Sequence, residues 1–253
     1  MYKKIINNML MLSICLVSSC SWGAIAQADV NPLQVLKAVD AYRSESNTVK
    51  VSATVRAYKQ DELRNSKQYD VYSTSAKRSL VVFKSDSEKG QKVLMKGSDY
   101  WMFMPKSRRP IRITPMQKLL GEASLGDIAT LSWSEDYTVK QTTDMDSLWQ
   151  FELHAISPKL SYQKIILNVR KDNYFPEEAE LYLRSGMHAK TAQFEQGERN
   201  GKQKVTAMAL HDEMRKGHKT VIEYDLIELI SVPDRLFNPQ ILIRSDLDRL
   251  LTE

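Results

Sequence analysis

The sequence predicts a mainly β protein, one antiparallel sheet of about ten to twelve strands, long enough to curl strongly because strand twist accumulates across it. Three observations lead there. Apolar and polar residues alternate at period two through most of the chain after residue 48. Turn-forming residues interrupt the alternation at short intervals, as a meander of hairpins requires. Helical spacing is confined to one segment near the start and a short central stretch.

Taken from the first residue, the chain opens as an export signal. Lys3 and Lys4 precede the apolar run Met9–Val17, which is shorter than the roughly 20 residues a membrane helix needs. Ala26-Gln27-Ala28 then supplies a small-residue cleavage pattern, giving a signal peptide over 1–28 and a mature chain over 29–253. A second pattern, Val17-Ser18-Ser19-Cys20, resembles a bacterial lipobox and would make an acylated Cys20 the mature end. Cleavage after Ala28 is preferred because that site directly precedes the first foldable segment. Cys15 and Cys20 are the only cysteines, so this cleavage excludes disulfides, thiolate nucleophiles and Cys metal sites from the mature protein. Its core alone must hold it together, and its length suffices for one domain. The net charge of +5 is mild and dispersed, which argues against a nucleic-acid partner.

Asn31 before Pro32 reads as a cap with proline in the first turn. Leu33, Leu36, Val39 and Tyr42 then form one apolar stripe, predicting a helix to about Arg43. Strands follow. Val49, Val51, Ala53, Val55 and Ala57 share one face of a strand over 48–59. Further runs lie at 68–73, 78–84, 92–96 and 100–104. Alternation resumes beyond Thr142, with Trp149, Phe151, Leu153 and Ala155 on one face, and continues at 162–170, 178–184, 188–195, 202–210 and 219–230. Between the two series, Pro105–Trp133 breaks the pattern. Met116, Leu119 and Leu120, then Leu125, Ile128 and Leu131, predict one or two short helices across the sheet, with Gly121 and Gly126 giving a loosely held lid.

Catalytic chemistry finds little support. His154, His188, His211 and His218 are scattered, and no His-x-x-x-His or Gly-x-Ser-x-Gly occurs. Ser161-Tyr162-Gln163-Lys164 fits Ser-x-x-Lys, but a strand turns the two side chains to opposite faces. His211-Asp212-Glu213 lacks a third metal ligand at useful spacing. We expect no enzyme activity, no cofactor and no metal.

Trp101-Met102-Phe103-Met104-Pro105, with Arg108-Arg109 and Arg112-Ile113 after it, resembles a strand-to-loop signature of outer-membrane lipoprotein-sorting proteins of the LolA-like superfamily. Gln117–Ala129, Asp136-Tyr137 and the layout of Ala28-Asp29, Pro32 and Tyr42-Arg43 extend the likeness over the mature chain. The resemblance implies a half-open β-barrel of about eleven strands, closed on one side by short helices, with an apolar cavity for acyl chains. It implies a periplasmic carrier that moves a lipid or lipoprotein from an inner-membrane transporter or exporter to an outer-membrane acceptor. Many members of the subgroup matched by the central block look like periplasmic partners of inner-membrane exporters.

The cavity is expected to be lined by Val51, Val55, Trp101, Phe103, Leu119, Leu120, Ile128, Trp149 and Phe151, although core packing accounts equally well for the aromatic residues. Arg108, Arg109 and Arg112, bunched after Pro105, are expected to meet lipid headgroups or an acidic partner surface. A rival on the same fold is a periplasmic sensor or regulatory lipid-binding protein without transport. It would be expected to carry a second domain, and the end of this chain soon after the sheet, at Asp246–Leu251, favours the carrier. A third class, an envelope-lipid hydrolase, lacks a visible nucleophile and base.

Overall fold

A computed structural model describes residues 30–45, 47–74, 77–107, 109–128, 132–244 and 247–252. The expected signal peptide with Cys20, and also Arg108 and Leu131, lie outside the described residues. The helix α1 (Pro32–Arg43) starts as its cap dictates. The Leu33 and Gln34 amides donate to Asn31 Oδ1 at 3.1 and 3.3 Å, which satisfies two first-turn N–H groups. A first strand series follows: β1 (Val49–Lys59), β2 (Glu62–Thr74), β3 (Arg78–Phe83), β4 (Lys92–Lys96), β5 (Asp99–Phe103) and β6 (Ile111–Ile113). The linking segment holds β7 (Lys118–Leu120), β8 (Ala123–Ser124), α2 (Leu125–Ile128) and α3 (Trp133–Asp136). The second series is β9 (Tyr137–Met145), β10 (Leu148–Ala155), β11 (Lys164–Arg170), β12 (Pro176–Tyr182), β13 (His188–Arg199), β14 (Lys202–Asp212) and β15 (His218–Leu229). A 3-10 turn at Asp234–Phe237, α4 (Pro239–Arg244) and α5 (Leu247–Thr252) follow the sheet.

Among the described residues thirteen strands form one antiparallel sheet in the order β6-β5-β4-β3-β2-β1-β15-β14-β13-β12-β11-β10-β9. Two hairpin meanders, β1–β6 and β9–β15, therefore meet where the first strand pairs with the last, Val51 opposite Ile227. The count exceeds the expected number because two edge strands carry little apolar alternation. One, β6, is only three residues long; the other, β9, is mostly exposed Thr, Lys, Gln and Asp. Leu119 and Leu120 lie in β7 rather than in a helix. Gly121, at φ 54°, turns the chain back into β8 as a small separate hairpin.

Both faces of the first meander hold buried side chains. On one face Tyr72, Leu80, Leu94 and Trp101 stand opposite one another in neighbouring strands. With Val82 and Phe103 they pack against Leu236, Phe237, Leu242 and Leu250 of the C-terminal segment. As a result β3 buries Leu80 to Phe83 without a gap, the mark of a strand covered on both sides. On the other face runs the row Val49, Ser73, Ser79, Met95 and Tyr100, with Val51, Val71, Val81 and Val93 as a parallel row. The helix α1 packs against β14, β9 and α3 and buries Val35, Leu36 and Val39. The described residues from Asn31 onward form one compact unit. No helix among the described residues is long and apolar enough to cross a membrane.

Candidate functional site

The row Val49, Ser73, Ser79, Met95 and Tyr100, with Val51 and Val71 beside it, floors a cavity of about 470 Å³. Strand periodicity puts these side chains on one face, and cross-strand register lines them up. Tyr42, Arg43, Ser44 and Glu45, at the end of α1, form one end of the hollow together with Arg199 and Ile227. Glu135 and Asp136 of α3 and the Ile156–Ser161 loop after β10 contribute further lining.

Buried polar contacts place these walls. The Lys204 ammonium donates to the Ala41 and Ser44 carbonyls at 2.8 and 3.1 Å and pairs with Glu45 at 3.0 Å, holding the C-terminal end of α1. Asp40 accepts from the Trp133 and Ser134 amides, both at 2.9 Å, so α1 sets the start of α3. The Arg43 guanidinium lies 3.8 Å over the Trp133 ring. Two contacts join separate parts of the lining. Lys77, just after β2, pairs with Glu135 at 2.9 Å and Asp136 at 2.8 Å. Lys159, after β10, donates to Ser98 between β4 and β5 at 3.3 Å.

The lining is mixed in polarity. Burial holds the Arg43 and Arg199 guanidinium groups below their usual pKa. At Lys77 burial opposes the charge, but the hydrogen bonds it donates to Asp136 and Glu135 outweigh it and raise the pKa. Burial, and then Asp136, push Tyr100 up. Ser161 Oγ lines the cavity buried and without a hydrogen-bond partner among the described residues. Lys164 does not serve it, because its ammonium sits 4.0 Å over the Tyr182 ring. Among the described residues no group of His, Cys, Asp or Glu is arranged to hold a metal.

The candidate residues separate. Val51 lines the cavity, and Val55 is fully buried on the same side of β1. Trp101 and Phe103 lie on the opposite face, in the cluster under the C-terminal segment, and the alternation of β5 gives Tyr100 to the cavity instead. Phe151 is fully buried in β10, and Trp149 carries the Lys171 ammonium 4.6 Å over its ring; neither lines the hollow. Leu119 and Leu120 are buried in the β7–β8 flap, and Ile128 ends α2. Arg109 is exposed, and Arg112 pairs with Asp99 and lies 5.6 Å over the Trp101 ring. Sequence reasoning missed Arg43, Ser79, Met95 and Tyr100 as lining. For Tyr100 a signal existed, since the continuous apolar runs Leu80–Phe83 and Val93–Met95 announce strands buried on both faces.

The flap is pinned rather than loosely held. The Lys190 ammonium, with its side chain 7% exposed, donates to Asp127 at 2.8 Å and to the Glu122 carbonyl. Asp127 also accepts from the Ser124 amide and hydroxyl, each at 2.8 Å, and from the Tyr162 hydroxyl at 2.7 Å. Glu122 pairs with Lys118 at 3.0 Å and with Arg215. Gly126 packs against Ser161, and Gly121 against Thr220 and Ala57, so both glycines serve close approach.

A large antiparallel sheet with short helices on its faces and a hollow on one of them defines a class of fold. A family model described as an uncharacterized protein matches residues 75–244. The chain is 30% identical to a LolA superfamily protein from Nitrosomonas europaea, with a TM-score of 0.76 over 83% of this chain and 98% of that one. It belongs to the LolA superfamily. The fold is also similar to that of a candidate outer membrane lipoprotein-sorting protein domain from Vibrio parahaemolyticus, at 17% identity and a TM-score of 0.68 over 84% and 98% of the two chains. A protein of a domain-of-unknown-function family from Desulfovibrio piger gives 20% identity and a TM-score of 0.67 over 83% and 97%. No curated protein matches the sequence.

Proposed function

We propose that this protein is a periplasmic carrier that shelters acyl chains of a lipid or lipoprotein in the hollow beside β1–β5. The observation that carries this reading is the cavity of about 470 Å³ floored by Val49, Val51, Val71, Met95 and Tyr100. Protein interiors are otherwise close-packed, so a space of this size calls for an occupant. Hiding a chain there is worth roughly 0.8 kcal/mol per CH₂. Membership in the LolA superfamily supports the reading, as does the lipoprotein-sorting description of the Vibrio relative. The sheet curls into a half-open barrel around the chain. The Lys159–Ser98 contact supports this, because it joins parts of the chain next to β10 and β5, which stand near opposite ends of the strand order.

The rest of the reading follows the export pattern of the sequence. Residues 1–28 direct secretion, with acylation at Cys20 as the alternative. An inner-membrane transporter or exporter loads the chain, and an outer-membrane acceptor receives it. Arg109 and the edge-strand Arg112, both exposed, suit contact with anionic headgroups or an acidic partner. The role is binding rather than catalysis.

Binding of a pyrene-labelled fatty acid tests the cavity. Val51→Trp fills the floor and should weaken binding about tenfold or more, a loss of about 1.4 kcal/mol. Phe103→Ala should cost about 3 kcal/mol of stability and leave affinity unchanged. Loss of affinity in Phe103→Ala with none in Val51→Trp would put the chain on the wrong face. No binding to the parent protein would end the reading.

A further inference from the structure

The hollow has a capacity that can be read in two ways. A methylene takes slightly less than the roughly 30 Å³ a water occupies in the liquid, so the cavity of about 470 Å³ has room for at least one chain of about sixteen carbons. The floor gives a length. From Val49 on β1 to Tyr100 on β5 the row crosses four strand spacings of about 4.8 Å, or about 19 Å. A chain with 1.5 Å bonds at tetrahedral angles advances about 1.25 Å per carbon, so that row spans about fifteen. The volume admits such a chain, and beyond β2 the floor is one row wide, because Val81 and Val93 of the neighbouring row do not line the hollow.

The two ends of the floor differ in chemistry. Tyr100, Pro115, Leu160 and Ile156 contribute apolar surface at the β5 end, where the exposed Lys159 donates to Ser98. At the α1 end stand Arg43 and Arg199. Arg199 donates to the Val205 and Tyr224 carbonyls at 3.4 and 3.3 Å, and no carboxylate among the described residues pairs with it. Carbonyls accept its hydrogen bonds without cancelling its charge. Of the carboxylates at this end, Asp40 lies 4.0 Å from Arg43 and also accepts from the Trp133 and Ser134 amides, and Glu45 is engaged by Lys204; Glu135 and Asp136 on the α3 side are engaged by Lys77. A second, polar hollow of about 650 Å³ shares Tyr42, Ser44 and Glu45 with the cavity, so a head seated here has polar surroundings.

We infer that the cavity takes one acyl chain of about sixteen carbons with an anionic head, carboxylate or phosphate, at the Arg43–Arg199 end. The inference rests on the carrier reading and narrows its cargo to single-chain amphiphiles. Native mass spectrometry and calorimetry on the mature chain test it with palmitate, palmitoyl lysophosphatidylglycerol, neutral monopalmitoyl glycerol, dipalmitoyl phosphatidylglycerol and a tripalmitoylated lipopeptide. One palmitate or one lysolipid should bind per protein, and the tighter of the two names the head. The two- and three-chain ligands, and the neutral one, should each bind about tenfold more weakly. Arg199→Gln should abolish the preference for anionic over neutral heads, and Arg199→Lys should keep it. If Arg199→Gln fails to fold, the anionic-to-neutral ratio of the parent protein decides the head. Two- or three-chain ligands binding as tightly as palmitate would overturn the inference while the carrier reading stands. An unchanged head preference in folded Arg199→Gln would overturn the head assignment. Absence of binding by every acyl ligand would remove the carrier reading as well.

Discussion

Lys190 sits on β13 between Ala189 and Ala192, on the buried side of a strand, and its only charged partner within ion-pair reach among the described residues is Asp127, on α2. Both side chains are almost fully enclosed. Breaking such a pair leaves one charge stranded in a medium that solvates it poorly, so Lys190→Met should destabilise the fold by about 3–5 kcal/mol in urea unfolding. Adding Asp127→Asn should recover part of that loss, because the amide still bonds Ser124 and Tyr162 and no longer carries a charge. A double variant as unstable as Lys190→Met alone would show that the ion pair is not what holds the flap. The sequence places the lysine in the strand over 188–195 and no more. Its partner was not legible there, since 63 residues separate them and nothing local links the two.

Among the elements, the β7–β8 flap departs furthest from its sequence expectation. Leucines at 119 and 120 and apolar residues further on suggested helical spacing, but a hairpin with a glycine turn satisfies the same residues once they have a sheet to rest on. Gly121 and Gly97 have nearly the same backbone angle, φ 54° and 56°. A side chain at Gly97 meets nothing within 4 Å, while one at Gly121 collides with Thr220 Oγ1 and comes within 2.8 Å of Ala57 Cβ. Gly97→Ala should therefore cost about 1 kcal/mol, the left-handed penalty alone. Gly121→Ala should cost about 3 kcal/mol, with overpacking added. Equal losses in urea unfolding would mean that the flap does not press on β1 and β15 as described. The C-terminal turn and helices were also passed over in the sequence, yet their Leu236, Phe237, Leu242 and Leu250 claim the face on which Phe103 lies.

For the molecule as a whole, buried tyrosines tie stability to alkaline pH. Tyr137 donates to the Tyr162 carbonyl and Tyr162 to Asp127, while Tyr69 is buried beside Phe83. Burial first, then nearby carboxylates, raise all three above the ordinary value of 10.0. The unfolded chain releases these protons near pH 10 and the fold resists, so their contribution is intact below pH 10 and is lost as pH rises past it. The urea midpoint should hold steady up to that point and then fall, with tyrosinate absorbance appearing together with unfolding. Absorbance that rises well before unfolding would show that these hydroxyls are open to solvent. The sequence by itself determined the capped first helix, the period-two strands and their order as hairpins, because each depends on residues a few positions apart. It also determined the superfamily, whose central signature is local. Tertiary structure alone decided that β1 pairs with β15, which face of β5 meets the cavity, and that the C-terminal segment covers the other. Alternation tells which residues share a face, but it cannot tell which of two faces is filled by protein and which is left hollow. That depends on what distant segments pack there.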